Sequence, residues 1–418
     1  MRKRCAGAGT RSAGGAALAL LCNPLADPYL ERVYGTRLHI LSHPDSGVQA
    51  NFTGKGNKMM NNNRLEQIIT EIAPLDKRSM EAAALYLDQL TKPPGSLGRL
   101  EEVAKQLAGI RGELKPDLGK KAVVVMAADH GVCEEGVSAY PSEVTPQMVL
   151  NFLNGGAAVN VLSRHTGADV LCVDIGVNAE LSDSRLRSRK VRMGTANMAK
   201  GPAMTREEAE EAVLAGVEIA AELIRDGYGL IATGDMGIGN TTASSAILTV
   251  LGGTDAAEAA GRGTGIDDER LLRKQAVIRQ AIELNRPDAA DPMDVLSKVG
   301  GLEIAGLVGV ILGAAKHRCP VVIDGFISSA AALVAARLAP LSVPYMMASH
   351  LSQEKGHARL LEEIGLTPML VMDMRLGEGT GAVLAFPLIE AAVKIMREMA
   401  TFANAGISGA VSTEQLQG

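Results

Sequence analysis

One carboxylate stands between two glycines in the stretch MRLGEGTGAVLAFPLIEAA, residues 374–392. Glu378 falls where a polar turn gives way to an apolar helix. Flanking Gly377 and Gly379 remove side-chain bulk and let the backbone come close to another group. The carboxylate is therefore either an idle turn residue or a working base. Thr380 is the better helix cap by residue type, which leaves Glu378 outside the helix and free of capping work. Two influences on its acidity compete. A nearby helix N-terminus favours the carboxylate, whereas a desolvated crevice favours the acid. A base for use near neutral pH needs the second to be sizeable without being overwhelming.

A second stretch, GDMGIGNTTASSAILTV at residues 234–250, suits an anion. Asp235 and Met236 end an apolar run, Gly237 and Gly239 allow tight turns, and Asn240, Thr241 and Thr242 open an apolar helix. Helix N-terminal amides and the positive dipole end would receive a phosphate. The bland alternative is an ordinary capped helix with Asn240 or Thr241 as N-cap. The pattern is neither G-x-x-x-x-G-K-[ST] nor G-x-G-x-x-G. Lys274, in DDERLLRKQAVIRQA, is a candidate cation for the phosphate, against the commoner role of a solvated helix charge. Asp129 and His130, in MAADHGV, could ligate a metal, but three or four ligands are needed and no second cluster accompanies them. Hydrogen bonding within a crevice fits them better. Ser349 and His350 end another run, and His350 and His357 are seven residues apart, two helical turns.

These residues need a frame. Short β-branched runs occur at AVVVMAA, DVLCVDIG, GLIATGD, CPVVIDG, VPYMMASH and TPMLVMDMRLGEG, most of them separated by helical patterns. Alternating strands and helices predict βαβ units and a mostly parallel sheet with helices on both faces, an α/β fold. Amphipathic helices are expected at Arg206–Arg225 and Leu271–Leu284, and another near Ser96 after the helix-breaking prolines of TKPPGSLGRLE. Polar or glycine motifs close nearly every run: Asp129-His130, Asp174, Asp235, Asp324-Gly325, Ser349-His350 and Gly377-Glu378. Ligands of open parallel sheets bind beyond the strands' carboxyl ends, so all six should border one crevice.

The 418-residue chain is long enough for a large core. A net charge of −5, no Trp and 3% aromatics speak against nucleic-acid binding and base-stacking platforms. The five cysteines include no C-x-x-C pair and are read as reduced thiols in a cytosolic protein. The seven histidines have no H-E-x-x-H spacing, and no apolar run is long enough to span a membrane. Residues 1–58 differ from the rest: a basic start, a short apolar run and a polar aperiodic stretch. They are expected to be an upstream extension, disordered or not part of the functional protein. The body divides into residues 59–100 with 383–418, a small helical domain, and residues 101–382, a Rossmann-like catalytic domain.

Seven motifs in order, KPPGSLGRLE, ADHGV, GDMGIGNTT, DVLSKVGG, DGFISSAAAL, SHLSQEKGH and MRLGEGTGA, resemble the nicotinate-nucleotide–dimethylbenzimidazole phosphoribosyltransferase (CobT) family of cobalamin biosynthesis. The resemblance runs from about Leu65 to Ala405. It implies transfer of phosphoribose from nicotinate mononucleotide to 5,6-dimethylbenzimidazole. The products would be α-ribazole 5′-phosphate and nicotinate, with inversion at the anomeric carbon. It implies Glu378 as general base, Asp235 at the nucleotide site, and Gly237 to Thr242 with Lys274 as phosphate-binding elements. SAYPSEVTPQM, with Tyr140 and Gln147, would line the base pocket beside Met236 and Leu376. It further implies a Rossmann-like fold, a homodimer in the cytoplasm, and no metal or other cofactor. The competing expectations are a catalytically silent nucleotide binder and a metal phosphohydrolase built on Asp129 and His130.

Overall fold

A computed structural model of the chain describes residues 64–263 and 265–408. The expectation for residues 1–58, and the last ten residues of the expected helical domain, lie outside the described residues. Six parallel strands form the main sheet: β1 Lys120–Ala128, β2 Asp169–Gly176, β3 Arg187–Ser188, β4 Tyr228–Met236, β5 Val321–Ile323 and β6 Met346–Ala348. Their order is β3-β2-β1-β4-β5-β6, so the direction of winding reverses between β1 and β4, the place where such sheets bind ligands. Residues 122–128 of β1 and 229–236 of β4 are buried throughout. A strand covered on both faces needs an unbroken apolar run rather than alternation.

Two helices show how the faces are covered. Val123 and Met126 are an odd number of residues apart on β1 and so point to opposite faces. Val123 packs at the start of the helix Thr380–Glu398, and Met126 packs at Gly306 of the helix Leu302–Lys316. The helix Arg206–Arg225 packs along Leu302–Lys316. It begins in a capping box between Thr205 and Glu208. Near the chain's ends, helix Lys77–Gln89 packs on Arg99–Arg111, which packs on Thr380–Glu398. The Thr91 amide donates to the Ala400 carbonyl at 3.0 Å, joining the two ends.

Three details differ from the sequence expectation. The last apolar run, residues 367–379, stays out of the main sheet. It supplies only β8, Leu370–Val371, paired with β7, His350–Leu351. Left-handed backbone at Asp373 and Gly377, φ 55° and 87°, breaks the extension that a longer strand needs. β3 has two polar residues, too short for a periodic signal. The helix expected near Ser96 starts at Arg99, because residues 95–98 turn on themselves: the Gly98 amide donates to the Gly95 carbonyl. A buried ion pair between Lys92 and Glu101, 2.8 Å, spans that turn.

Candidate active site

Among the described residues, the strands' carboxyl ends border two cavities rather than one crevice. One of about 480 Å³ is bordered by the segments after β4, β5 and β6, by the turn before Thr380 and by Tyr140, Val144 and Met148 from the stretch after β1. A second of about 440 Å³ is bordered by the segments after β1, β2 and β3. Tyr140, 55% exposed, borders both. Asp129 and His130 belong to the smaller cavity. His130 Nε2 lies 2.6 Å from Glu303 Oε1, and Asp129 accepts the Asn178 amide at 2.7 Å. Burial opposes a charge on His130, but Glu303 beside it and Asp129 hold the imidazolium above its ordinary range. Asp174 borders neither cavity; it pairs with Lys190 and accepts the Val177 amide.

Glu378 borders the larger cavity and is 7% exposed. It and its neighbours are three successive left-handed residues: Gly377 at φ 87°, Glu378 at 63° and Gly379 at 91°. For a glutamate that conformation is strained, and such strain collects at functional sites. The surroundings impose it. The Glu378 carbonyl lies 2.5 Å from where a Cβ on Gly234 would stand, so the turn presses on β4 where that strand has no side chain. Thr380 donates both its amide and its hydroxyl to the Gly377 carbonyl, at 3.0 and 2.8 Å. Thr380 is thus the first helical residue, not the cap expected from its type; Gly379 takes that place. The side-chain cap comes from elsewhere. Buried Asp324, at the end of β5, accepts the amides of Gly379 and Ala382 at 3.1 and 2.9 Å.

The competition over the acidity of Glu378 is visible in the geometry. Burial pushes its carboxyl above the ordinary range, the Val159 amide pulls it back, and the Asp324 charge adds to the rise. The helix N-terminus involved is Ala158–Thr166, whose Val159 amide lies 3.4 Å from Oε2, and not the helix that follows Glu378. The net effect favours proton uptake, as a base requires.

The glycine-rich segment after β4 brings Asp235, Met236, Gly237, Asn240 and Thr241 to the same cavity. The helix Asn240–Leu251 is capped by Gly239, at φ 97°, with no side-chain cap. This departs from the expected Asn240 or Thr241 cap; Asn240 instead donates from Nδ2 to Asp235 Oδ2 at 3.0 Å. Gly239 and Thr242 lie behind the lining: a Cβ on Gly239 would stand 2.7 Å from Cys133 Sγ, and Thr242 is fully buried. Lys274 is no surface lysine. It is 1% exposed, and Nζ donates to Thr241 Oγ1 at 2.8 Å and to the Gly261 carbonyl at 3.3 Å. Burial lowers its ammonium to about 8 despite the nearby Glu354.

Other expected residues divide. His350, Leu376 and Gly377 border the cavity; Ser349 and Gly379 stand behind it. Ser349 bonds the Asp324 carbonyl and lies 3.0 Å from His350 Nδ1. Gln147 is exposed and off the cavity, while Val144 and Met148, one turn apart on the same helix, border it. Three residues escaped the sequence reading: Glu303, Glu354 and Arg375. All lie in or beside quoted motifs; Asp324 was expected at the crevice, but only as a strand ending. What the sequence lacked was the contact that gives each its role. Phe326 and Ile327 add apolar surface, and Arg375 donates to the Gly263 carbonyl at 3.0 Å. Among the described residues, no group of three or more His, Cys, Asp or Glu is arranged to hold a metal ion, and no helix is long and apolar enough to cross a membrane.

The cavity thus combines apolar walls, a helix N-terminus with two cations beside it, and a buried carboxylate with raised proton affinity. Comparison with known proteins bears on what it takes. A family model described as phosphoribosyltransferase matches residues 72–407. A nicotinate-nucleotide–dimethylbenzimidazole phosphoribosyltransferase of Chloroflexus aggregans is 59% identical over 345 residues, covering 82% of this chain and 98% of that relative. A protein of the same name from Roseiflexus castenholzii is 58% identical over 348 residues, 83% of this chain and 99% of its own. The crystal structure of CobT from Thermus thermophilus superposes with a TM-score of 0.77 at 50% identity, covering 80% of this chain and 100% of that one.

Proposed function

This chain belongs to the nicotinate-nucleotide–dimethylbenzimidazole phosphoribosyltransferase family, and we propose that it transfers phosphoribose from nicotinate mononucleotide to 5,6-dimethylbenzimidazole, with Glu378 as general base. The observation that carries the proposal for Glu378 is its buried carboxylate, held by three left-handed residues at the wall of the 480 Å³ cavity. One benzimidazole nitrogen attacks C1′ of the ribose while Glu378 takes the proton from the other. Nicotinate leaves from a pyridinium with the bonding electron pair and needs no proton, so one base suffices. Attack opposite the leaving group inverts β to α and gives α-ribazole 5′-phosphate. Oxocarbenium character is expected at C1′, as in glycoside transfer, and holding both reactants side by side supplies much of the rate.

The start of the helix at Asn240, with Lys274 and Arg375, suits the phosphate. Val144, Met148, Phe326 and Leu376 suit a flat neutral base. The same reading assigns the helical ends of the chain to a small helical domain and the working unit to a homodimer. The direct test mixes purified protein with both substrates in excess EDTA and follows products by chromatography. Equal amounts of nicotinate and α-ribazole 5′-phosphate are expected. Absence of product with nucleotide binding intact would overturn the assignment of the acceptor.

A further inference from the structure

We propose that Asp235 enters the reaction as a neutral carboxylic acid, so that Glu378 works as base beside an uncharged neighbour. This rests on the reading of Glu378 given above and concerns a different atom of the same site.

Four carboxyl groups meet where β4, β5, the helix Leu302–Lys316 and the turn before Thr380 converge: Asp235, Asp324, Glu303 and Glu378. Three have a partner that favours the charged form. Glu303 has His130 at 2.6 Å on Oε1, while its buried Oε2 has no hydrogen-bond partner among the described residues. Asp324 has the amides of Gly379 and Ala382, although burial raises its carboxyl to about 7. Glu378 has the Val159 amide. Asp235 has only the Asn240 side-chain amide on Oδ2, and its buried Oδ1 has no hydrogen-bond partner among the described residues. Gly377 packs against its two oxygens; a Cβ there would stand 3.4 and 3.6 Å from them. The charged groups facing it are Asp324 from the end of β5, Glu303 from the helix Leu302–Lys316, and Glu378. All three are acidic. The nearby cations are engaged elsewhere: Lys274 with Thr241, Arg375 with the Gly263 carbonyl, His130 with Glu303.

An ionised Asp235 would place a charge in a buried spot with a bare oxygen and three acidic neighbours, each of which costs free energy. A neutral carboxyl avoids the cost of burying that charge and the repulsion. Burial first, then Asp324 and Glu303, hold its carboxyl pKa well above the ordinary range. The consequence falls on Glu378. A full charge on Asp235 would raise the proton affinity of Glu378 further. In the reaction, the benzimidazole proton goes to Glu378, nicotinate departs with the C1′–N electron pair, and the proton on Asp235 stays where it is.

Two readouts test this on the full chain. The first is the pH profile of kcat/KM for Asp235→Asn. With a neutral Asp235, the acid limb set by Glu378 stays at the wild-type pH. An acid limb moved down by about one pH unit or more, the signature of a removed negative charge, would overturn the proposal. The second is infrared difference spectroscopy on ¹³C-labelled and unlabelled protein at neutral pH. A protonated-carboxyl C=O band is expected in the wild type and lost in Asp235→Asn; a wild type without that band sinks the idea. Glu378→Gln should abolish most turnover yet keep the Asp235 band, so an error about the base and an error about this proton are told apart.

Discussion

The helix at Asn240 and the helix at Thr380 both start from a left-handed glycine, Gly239 at φ 97° and Gly379 at φ 91°, and neither cap residue offers a side chain. Each start leaves several amides without intrahelical partners, at the positive end of the helix. At Thr380 the protein fills that end itself: Asp324, 1% exposed, accepts the Gly379 and Ala382 amides. At Asn240 no carboxylate among the described residues accepts the amides; those of Asn240 and Thr242 donate to the Gly237 and Gly239 carbonyls at 3.1 and 2.9 Å. Asn240 and Thr241 border the cavity, and the Lys274 ammonium sits on the Thr241 hydroxyl. An internal anion makes one helix start a fixed mount, and Glu378 is set on it. A helix start left open is a site for an anion that must come and go with each turnover.

The largest effect should come from the group on the fixed mount. Glu378→Gln keeps the size of the side chain and removes the base. Turnover should fall about 10²- to 10⁴-fold, about 3–5 kcal/mol of barrier, with nucleotide affinity little changed by calorimetry. A near wild-type rate would mean that the mount carries nothing catalytic. Next is the anion that closes the helix end. Asp324→Ala leaves two buried amides unsatisfied and should cost about 2–4 kcal/mol in denaturant unfolding. Turnover should fall with it, because the Glu378 turn loses its anchor. A variant of wild-type stability would show that the two helix starts do not differ as described.

A smaller effect compares the two glycines. Gly379→Ala would put a Cβ 2.4 Å from Val123 Cγ2 at a backbone angle that alanine rarely adopts. It should cost about 2–3 kcal/mol and displace Glu378. Gly239→Ala meets the same backbone penalty, but its nearest neighbour is the end of the Cys133 side chain at 2.7 Å, which can move. It should destabilise less and weaken nucleotide binding more than it slows chemistry. The reverse ranking, read from unfolding curves and a KM-against-kcat comparison, would contradict the assigned roles.

How much of this was legible in the sequence follows from which contacts are local. The strands β1, β2 and β4 announce themselves because a strand buried on both faces must be a continuous apolar run. The helix Arg206–Arg225 has the bounds expected from its amphipathic pattern. The GDMGIGN and RLGEG turns were legible because each gathers its chemistry within a few residues. Asp324 as the cap of a distant helix was not, since no local pattern links β5 to Gly379. Nor was the burial of Lys274, whose helix reads as amphipathic and whose partners lie on other segments. Met148 rather than Gln147 borders the cavity because the direction of a helical face depends on what it packs against. The six strand ends were expected to share one crevice, but Asp129 and His130 border a second cavity, which shares Tyr140 with the first.

The open helix start has its own pH signature, and it is the smallest effect per unit of pH. In the ligand-free protein, burial holds the Lys274 ammonium at about 8, below its ordinary value. Below that pH the side chain is charged, and above it the side chain is neutral. A phosphate favours the charged form, so binding pulls a proton onto Lys274 when the pH is above about 8. Nucleotide affinity should therefore be flat below about pH 8 and fall by up to about tenfold per unit above it. Lys274→Met should weaken nucleotide binding about tenfold at neutral pH and remove that decline. Glu378→Gln should keep the decline, because its carboxyl serves the other helix start. If Lys274→Met binds the nucleotide as tightly as the wild type, or if the decline persists without Lys274, the helix start at Asn240 is not where the phosphate sits. The distinction between a filled and an open helix end would then lose its functional half and keep only its structural one.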